Sequence, residues 1–437
     1  MNPLAQELND TIQRLNPHVM NMLSALGKEL FFPKGIIAQS GEAKARAKKY
    51  NATIGMARQD GHAMFLPSVM KSVANLTPDE ALNYAPVTGL PALRSAWQAK
   101  ILRDNPSLEG KPLSMPIVTN GLTHALSLVG DVFCNPADAI LLPDKIWGNY
   151  RLTFCVRRGA EILSYPFYGE GGGFNVEAFR NALNKACEER DKVIVLLNFP
   201  NNPTGYTPTR AEAEGIAEVL IAAADGGTDI VALCDDAYYG LFYEDDAMTE
   251  SLFSLLAGRH ERLLAIKGDA ATKEVFVWGL RIGFLSFGVG GADADSPLYT
   301  AIEKKVSGAI RGAISNCSGL SQQVVLRALE SPSFADERQA KRDVLCERAH
   351  EVKRVLADPK FDEICAPYDF NSGYFMCIRL KNVTAEAVRK RLLDAYETGT
   401  IATDTQDLRV AFSCVEKDQI AGLFDAVYQA AKDVEAG

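Results

Sequence analysis

The stretch from Lys192 to Asp236, KVIVLLNFPNNPTGYTPTRAEAEGIAEVLIAAADGGTDIVALCDD, decides the fold of this chain. It begins with a short apolar run, KVIVLLNF (192–199), and closes with a second such run, DIVALCDD (229–236). An amphipathic helical segment, TRAEAEGIAEVLIAAAD (209–225), separates the two runs. A strand, a helix and another strand in this order predict a βαβ unit, whose parallel strands are covered on both faces.

The same alternation continues on both sides of this unit. Further strand candidates are AILLPD (139–144), EILSYPF (161–167), LLAIKGDA (263–270) and RIGFLSFG (281–288). The helical segments between them include THALSLVGDVFC (123–134) and VEAFRNALNKACEER (176–190). We therefore predict an α/β fold, with a large domain in which helices sandwich a mostly parallel mixed sheet.

The pattern changes after Leu320, where a long charged helical tract (321–358) leads to two strand-like runs, GYFMCIRL (373–380) and DLRVAFSCV (407–415). These predict a second, smaller α/β domain built from the chain termini. The expected division is an N-terminal segment that joins the small domain and covers the substrate (1–68), the large domain (69–325) and the small C-terminal domain (326–437).

Composition excludes several classes of function. The net charge of −9 over 437 residues leaves no basic stripe for nucleic acid. Nine cysteines occur singly and five histidines are scattered, so we expect neither a metal site nor a disulfide framework. No apolar run is long enough to span a bilayer, and no targeting segment is visible. We expect a cytoplasmic protein that does not bind membranes.

Polar and aromatic residues follow the strand candidates where a parallel sheet binds its ligands, at the carboxyl ends. They are Gly121, Leu122 and Thr123 at a helix start, Trp147, Asn202 in PNNPTG, Asp235 and Tyr238 in DDAY, and Lys273. Each has an ordinary alternative, namely a turn, a helix cap, a packed ring or a surface lysine. Several of them at one edge of one sheet predict a ligand site.

This set suits the chemistry of pyridoxal phosphate. A lysine amine forms a Schiff base with an aldehyde cofactor, and a carboxylate such as Asp235 keeps the pyridine nitrogen protonated. The helix start at Gly121–Thr123 and the fork of Arg281 suit the phosphate. Trp147 is suited to stack on the ring, and Asn202 and Tyr238 to donate to its hydroxylate. Lys267 competes with Lys273, and Asp236 competes with Asp235.

Three motifs carry a resemblance to a known family. They are K-x5-G-x-R-x-G, formed by Lys273, Gly279, Arg281 and Gly283, then NPTG (202–205) and DDAY (235–238). In this order the motifs resemble those of the fold-type I pyridoxal-phosphate aminotransferases of class I/II, and most of all the aspartate and aromatic aminotransferase branch. The resemblance covers nearly the whole chain.

The resemblance implies further site residues. Tyr84, in YAPVTGL, would reach the phosphate of a neighbouring subunit, which implies a homodimer with shared active sites. Gly55 would lie in the segment that closes over the substrate, and Arg409, in RVAF, would grip the substrate's α-carboxylate. Arg311 would reach from the partner subunit to a second carboxylate. A surface role stays open for Arg409, and a role in favouring the helix dipole for Arg311.

The chain departs from the family pattern at two positions. Ala270 stands where a phosphate-binding serine is common, although Thr272 keeps a hydroxyl just before Lys273. The phosphate site is therefore expected to be reworked, by Lys267 or by a nearby backbone amide. Lys145 stands two residues before the stacking aromatic, where proline is common.

The expected activity is transfer of the amino group of an L-amino acid, of aspartate or aromatic type, to a 2-oxo acid such as 2-oxoglutarate by a ping-pong mechanism. Lys273 would be the general base and acid, assisted by Asp235 and Tyr238. A C–S β-lyase or another pyridoxal-phosphate reaction would use the same residues. A non-catalytic regulator is the third alternative, but no recognition-helix pattern precedes Ile54 and Gly55.

Overall fold

The computed structural model describes residues 1–31 and 35–437. The α-helices in these residues are α1 (Pro3–Leu15), α2 (Pro17–Met22), α3 (Ala25–Glu29), α4 (Ile36–Arg46), α5 (Pro67–Ala74), α6 (Pro78–Leu82), α7 (Pro91–Asp104), α8 (Leu122–Phe133), α9 (Val176–Glu189), α10 (Arg210–Asp225), α11 (Phe253–Leu256), α12 (Ala271–Glu274), α13 (Pro297–Ala313), α14 (Gly319–Leu329), α15 (Phe334–Leu356), α16 (Ala385–Ala395) and α17 (Ile420–Ala436). The strands are β1 (Tyr50–Asn51), β2 (Arg58–Gln59), β3 (His62–Ala63), β4 (Ile117–Thr119), β5 (Ala139–Pro143), β6 (Glu161–Tyr165), β7 (Tyr168–Gly169), β8 (Gly172–Phe174), β9 (Lys192–Asn198), β10 (Asp229–Asp235), β11 (Leu263–Ala270), β12 (Gly283–Gly288), β13 (Cys365–Pro367), β14 (Met376–Leu380), β15 (Thr398–Gly399), β16 (Ile401–Ala402) and β17 (Asp407–Val410).

A seven-stranded sheet forms the centre of the large domain, in the order β4-β12-β11-β10-β9-β5-β6. Strands β11, β10, β9, β5 and β6 pair in parallel, whereas β12 is antiparallel to both of its neighbours. This arrangement confirms the predicted mixed, mostly parallel sheet. It also brings the carboxyl ends of β9, β10 and β11 to one edge.

Alternate residues of the central strands pack into two different apolar clusters. On β9, Val193 and Val195 belong to one cluster, while Ile194 and Leu196 belong to the other. Because successive side chains of a strand point to opposite faces, both faces of the sheet are buried under helices. This is the physical reason that the strand sequences read as continuous apolar runs.

The small domain combines both ends of the described chain. Its four-stranded antiparallel sheet has the order β13-β14-β17-β16. Strand β1, from the N-terminal segment, pairs in parallel with β15, with Tyr50 opposite Thr398 and Asn51 opposite Gly399. The boundaries at residues 68 and 325 stay predictions.

Three details differ from the sequence prediction. Arg281, expected inside a strand, precedes β12 and has a left-handed backbone with φ of 54°. The helical tract predicted over 321–358 is two helices, α14 and α15, because the segment around Pro332 interrupts it. Residues 168–174 form a small hairpin of β7 and β8, which the sequence analysis did not predict. None of the helices in the described residues combines the length and hydrophobicity needed to cross a bilayer.

Candidate active site

A cavity of about 250 Å³ opens at the carboxyl ends of β9, β10 and β11. It is lined by Ile36, Gly55, Leu122, Thr123, Trp147, Tyr150, Asn198, Asn202, Asp235, Ala237, Tyr238, Ala270, Thr272, Lys273, Arg281, Phe375 and Arg409. Most of the site residues expected from the sequence are therefore brought together here. Gly121, Tyr84 and Arg311 are not part of the lining that this chain supplies.

Lys273 lies on α12, the single helical turn that follows β11 directly. Its Nζ donates a hydrogen bond to the backbone oxygen of Gly55 at 2.9 Å. Burial, together with the positive charges of Arg281 and Arg409, lowers the pKa of Lys273 to about 8. A substantial fraction of this amine is therefore neutral near physiological pH, which is the form that acts as a nucleophile or a base.

Lys267, the competing lysine, is bound elsewhere. Its amine forms a buried ion pair with Asp236 and lies 3.4 Å from Asp269 Oδ2. Burial alone would lower the pKa of Lys267, but the two carboxylates outweigh it and raise the pKa above its ordinary value. The expectation that Lys267 completes the phosphate site is therefore wrong, because its charge is already engaged beneath the cavity.

Asp235, the last residue of β10, has a hydrogen-bond partner on each carboxylate oxygen. Tyr150 donates to Oδ2 at 2.7 Å, while the Asn198 amide and the Ala237 backbone N–H donate to Oδ1 at 3.2 and 3.1 Å. Burial raises the pKa of Asp235 to about 6, against the opposing effect of these donors. A cation placed beside this carboxylate would therefore be strongly favoured.

Sequence reasoning missed Tyr150 and Asn198. Asn198 joins two parts of the site, because it donates to Asp235 and its Oδ1 accepts the backbone N–H of Asn202 at 2.8 Å. Asn198 is the final residue of β9, so the rule that ligands bind at the carboxyl ends of parallel strands, which found Asp235, could also have found it. The sequence carried no comparable signal for Tyr150, which is brought to Asp235 by the irregular helical segment that follows Trp147.

The start of α8 and the side chain of Arg281 meet at Gly121. Gly121 has φ of 77°, and a Cβ there would lie 2.5 Å from Arg281 Nη2. A Cβ on Gly283 would lie 2.7 Å from the backbone carbon of Gly121, so this glycine also allows the close approach. The result places a guanidinium against a helix N-terminus, where backbone N–H groups already favour an anion.

Arg409 is almost completely buried, with 2% of its surface exposed. It donates to Asn202 Oδ1 at 2.9 Å and to the Thr53 backbone oxygen at 3.0 Å. Its guanidinium lies 4.1 Å from the ring centre of Phe375, another residue that sequence reasoning missed. The surface alternative for Arg409 is wrong, because three parts of the chain enclose this side chain.

Tyr238 and Trp147 complete the walls of the cavity. Burial raises the pKa of Tyr238 well above its ordinary value, so its hydroxyl keeps its proton. Trp147 packs edge-on against Tyr150, with ring centres 5.5 Å apart. A Cβ on Gly55 would lie 3.4 Å from Lys273 Nζ and 3.6 Å from the Tyr238 oxygen. A side chain at residue 55 would therefore contact both the Lys273 amine and the Tyr238 hydroxyl.

Besides Gly121, which contacts Arg281, two expected site residues lie outside this cavity. Tyr84 is 92% exposed, and Arg311 is an exposed residue whose Nη1 donates to Ser315 Oγ at 2.6 Å. Both were expected to act on a neighbouring subunit rather than on their own.

Comparison with known proteins identifies the family. Residues 47–427 match the family described as aminotransferase class I and II. The chain belongs to this family. It is therefore an enzyme of the pyridoxal-phosphate-dependent transaminase type, and enzymes of this kind act on amino acids and 2-oxo acids.

Named relatives of this aminotransferase are distant in sequence but extensive in coverage. The cytoplasmic aspartate aminotransferase of Saccharomyces cerevisiae is 25% identical over 353 residues, covering 78% of this chain and 80% of that protein. The aspartate/prephenate aminotransferase of Cereibacter sphaeroides is 27% identical, covering 74% and 76% of the two chains. The matches thus extend over both domains.

Solved structures share the fold. An aminotransferase from Anaerococcus prevotii superimposes with a TM-score of 0.79 at 23% identity, covering 92% of this chain and 97% of that one. The S. cerevisiae cytoplasmic aspartate aminotransferase gives a TM-score of 0.74 at 20% identity, covering 92% and 97%. These likenesses confirm the predicted α/β architecture.

Proposed function

We propose that this aminotransferase moves the amino group of an L-amino acid, of aspartate or aromatic type, to a 2-oxo acid such as 2-oxoglutarate by a ping-pong mechanism. The observation that carries the proposal is the environment of Lys273. Its amine has a pKa of about 8 and faces a cavity that also contains Asp235, Arg281 and Arg409. This combination provides a reactive amine, a carboxylate and two fixed cations in one enclosed space.

The residues present fit pyridoxal phosphate. Thr272 Oγ1 lines the cavity, is buried and has no hydrogen-bond partner among the described residues. With the N-terminus of α8 and Arg281, this hydroxyl would hold the phosphate and replace the serine missing at Ala270. Asp235 would bind the pyridine nitrogen, Trp147 would stack on the ring, and Asn202 and Tyr238 would donate to its hydroxylate.

When bound, pyridoxal phosphate supplies an aldehyde that condenses with amines and a ring that withdraws electrons from the attached carbon. The chain's own residues do the rest. Lys273 Nζ accepts the proton of the substrate Cα and later releases it. The carboxylate of Asp235 would hold the pyridine nitrogen in its protonated form, and the Tyr238 hydroxyl would donate a hydrogen bond to the ring hydroxylate.

Arg409 is the proposed ligand of the substrate's α-carboxylate. Its planar fork can form two parallel hydrogen bonds with a carboxylate. Asn202 and Thr53 fix its orientation through the bonds described above. Gly55 lies against Lys273 and Tyr238, so we assign its segment the role of covering the substrate.

The names of the aspartate aminotransferase relatives support an aspartate-type substrate. We propose that Arg311 of a neighbouring subunit pairs with the second carboxylate of such a substrate. The same assembly would place Tyr84 at the neighbour's phosphate, so the active unit is a homodimer. We also propose a cytoplasmic location, since all nine cysteines lie in the described residues and are free thiols.

A donor and acceptor screen tests the proposal. Amino acids of aspartate, aromatic and neutral aliphatic type are each paired with 2-oxoglutarate and pyruvate, and the absorbance of the bound cofactor is followed. We expect aspartate or aromatic donors to convert the cofactor to its amino form, and 2-oxoglutarate to restore it. A thioether donor such as cystathionine, without an added acceptor, tests the rival: cleavage of its Cβ–S bond with release of pyruvate and ammonia, and without the amino form of the cofactor, would identify a lyase and overturn the proposal.

A further inference from the structure

A part-buried ion pair joins the two domains beside the active site. Lys145 follows β5 in the large domain, and Asp407 begins β17 in the small domain. Lys145 Nζ donates to Asp407 Oδ2 at 2.6 Å, and the two side chains are only 13% and 5% exposed. Asp144, the second carboxylate near this amine, is 3.4 Å away and 46% exposed, so Asp407 is the main partner.

Asp407 accepts a further hydrogen bond, and two tyrosine rings pack beside the ion pair. Tyr368 donates to Asp407 Oδ1 at 2.9 Å, and its ring stacks on Tyr168 with centres 5.0 Å apart. Lys145 Nζ lies 5.3 Å from the centre of the Tyr368 ring. Both oxygens of Asp407 are therefore engaged in one fixed arrangement.

The sequence positions of the pair connect it to the substrate site. Asp407 and Arg409 are two residues apart on β17, so their side chains leave the same face of the strand. Asp407 meets Lys145, and Arg409 meets Asn202 at 2.9 Å. The backbone oxygen of Lys145 accepts the side-chain amide of Asn201 at 3.2 Å. Strand β17 is thus attached to the large domain at two neighbouring points.

We propose that Lys145 and Asp407 are positioning residues that set the location of Arg409 over the cavity, and through it the binding of the substrate's α-carboxylate. The inference rests on the function proposed for Arg409. It gives a role to Lys145, which stands two residues before Trp147. The ion pair then fixes the strand that carries Arg409 against the segment that follows β5.

The physical reason is the stiffness of a short connection. Two residues of strand separate Asp407 from Arg409, roughly 7 Å of extended backbone. A shift of β17 after loss of the ion pair would therefore be transmitted to the guanidinium with little loss. A displacement of roughly 1 Å at a substrate-positioning group can cost on the order of a hundredfold in rate.

Lys145→Met tests the inference, with Lys192→Met as the matched control. The control pair, Lys192 with Asp138, has the same 2.6 Å separation but stands at the amino ends of the strands, away from the cavity. We measure KM and kcat for donor and acceptor. We also measure the affinity of the enzyme loaded with pyridoxal phosphate for the unreactive carboxylate 3-phenylpropionate, and the affinity of the apoenzyme for pyridoxal phosphate.

For Lys145→Met we expect KM for both substrates and Kd for 3-phenylpropionate to rise roughly ten- to hundredfold. Cofactor affinity should change less than threefold, and Lys192→Met should leave every value near that of the wild type. Lys145→Arg, which keeps a cation opposite Asp407, should restore most of the carboxylate affinity. If Lys145→Met does not fold, the same measurements are made on Asp407→Asn, which removes the negative charge of the pair and keeps the side-chain volume.

Equal behaviour of Lys145→Met and Lys192→Met would overturn the inference. Equal losses of carboxylate and cofactor affinity would also overturn it, because they would show general loosening of the site. Arg409→Met separates this result from failure of the proposed function. If Arg409→Met weakens the binding of 3-phenylpropionate and Lys145→Met does not, only the positioning role of Lys145 is wrong. If Arg409→Met has no effect, the function proposed for Arg409 is wrong as well.

Discussion

Asp235 and Asp236 are adjacent in the chain but engage opposite sides of the large sheet. Asp235 accepts the hydroxyl of Tyr150 at 2.7 Å on the side of the cavity. Asp236 accepts the amine of Lys267 and the hydroxyl of Ser251 on the other side. Successive residues of a strand alternate between faces, so one carboxylate remains available to a ligand while its neighbour neutralises a buried lysine.

This division predicts different results for the two asparagine variants. Asp235→Asn should lower turnover roughly hundredfold or more, the scale of losing one well-placed charged group. The variant should fold at least as stably as wild-type apoenzyme at pH 7.5. The hydrogen bonds to the carboxylate of Asp235 come only from the neutral donors Tyr150, Asn198 and Ala237, so removing its buried charge leaves no cation without a partner.

Asp236→Asn should instead lower the free energy of unfolding by about 3–5 kcal/mol, because it leaves the buried charge of Lys267 without its main partner. Chemical denaturation and steady-state kinetics measure the two effects on the same preparations. A reversal, with Asp236→Asn stable but inactive, would move the cofactor contact from Asp235 to Asp236.

The reactivity of Lys273 should follow its lowered pKa. The amine is protonated below its pKa and neutral above it, so covalent capture of pyridoxal phosphate by the apoenzyme should accelerate through a midpoint near pH 8 rather than 10.5. Arg409→Met should move the midpoint upward, since it removes one of the cations that disfavour the charged amine. Stopped-flow absorbance measures the rate, and borohydride reduction followed by peptide mapping should place the pyridoxyl group on Lys273. A label on Lys267 would refute the assignment.

The glycines on either side of Arg281 should differ in importance. A Cβ on Gly283 would collide with the backbone at Gly121, whereas a Cβ on Gly279 meets nothing within 4 Å among the described residues. Gly283→Ala should therefore destabilise the protein by about 1–3 kcal/mol and weaken its affinity for pyridoxal phosphate. Gly279→Ala is the matched control and should match the wild type in thermal unfolding and cofactor titration. Equal losses in both would show that the pattern reflects a requirement other than close packing.

Arg311 should select for dicarboxylates. We expect Arg311→Ala to weaken the binding of aspartate, glutamate and 2-oxoglutarate by up to about 5 kcal/mol, whereas the binding of aromatic and neutral donors should change little. Lys304, another exposed cation of α13, provides the control variant Lys304→Ala. Specificity constants for each donor are compared across the three proteins. A uniform loss for all donors would make Arg311 structural and remove the support it gives to an aspartate-type substrate.

Tyr84 should make activity depend on assembly. Its side chain is 92% exposed in the single chain, and we expect the phosphate of a neighbouring subunit to be its partner. Activity should fall with dilution in step with dissociation measured by sedimentation, and Tyr84→Phe should weaken cofactor binding without changing the dimer. A fully active monomer at assay concentration would contradict this expectation.

The elements of the large domain were predictable because their signals are local. Buried parallel strands such as β9 and β10 read as apolar runs, and the strand-end rule placed Asn202, Asp235 and Lys273 at one edge. Contacts between distant segments were not predictable in this way. Phe375 meets Arg409 because β14 and β17 pair in the small-domain sheet, where Cys377 lies opposite Arg409, and the local sequence does not indicate which strands pair.

Arg281 shows a second limit. Its backbone is left-handed, and its side chain lies against Gly121, a residue far away in the chain. Local propensity favoured an ordinary strand there, and tertiary packing determined the outcome. The motif located the right side chain, but the conformation that aims it at the helix start required the structure.

The pairing of β1 with β15 has a consequence for biosynthesis. Tyr50 and Asn51 leave the ribosome early, whereas their partners Thr398 and Gly399 are made only when most of the chain is complete. The strands of the large sheet lie between these two segments, so that sheet can assemble while the N-terminal segment still lacks its partner. Closing such a long loop is slow compared with local contacts. The N-terminal segment, which carries Gly55, should therefore dock last, and a truncated nascent chain should acquire protease resistance in its large domain first.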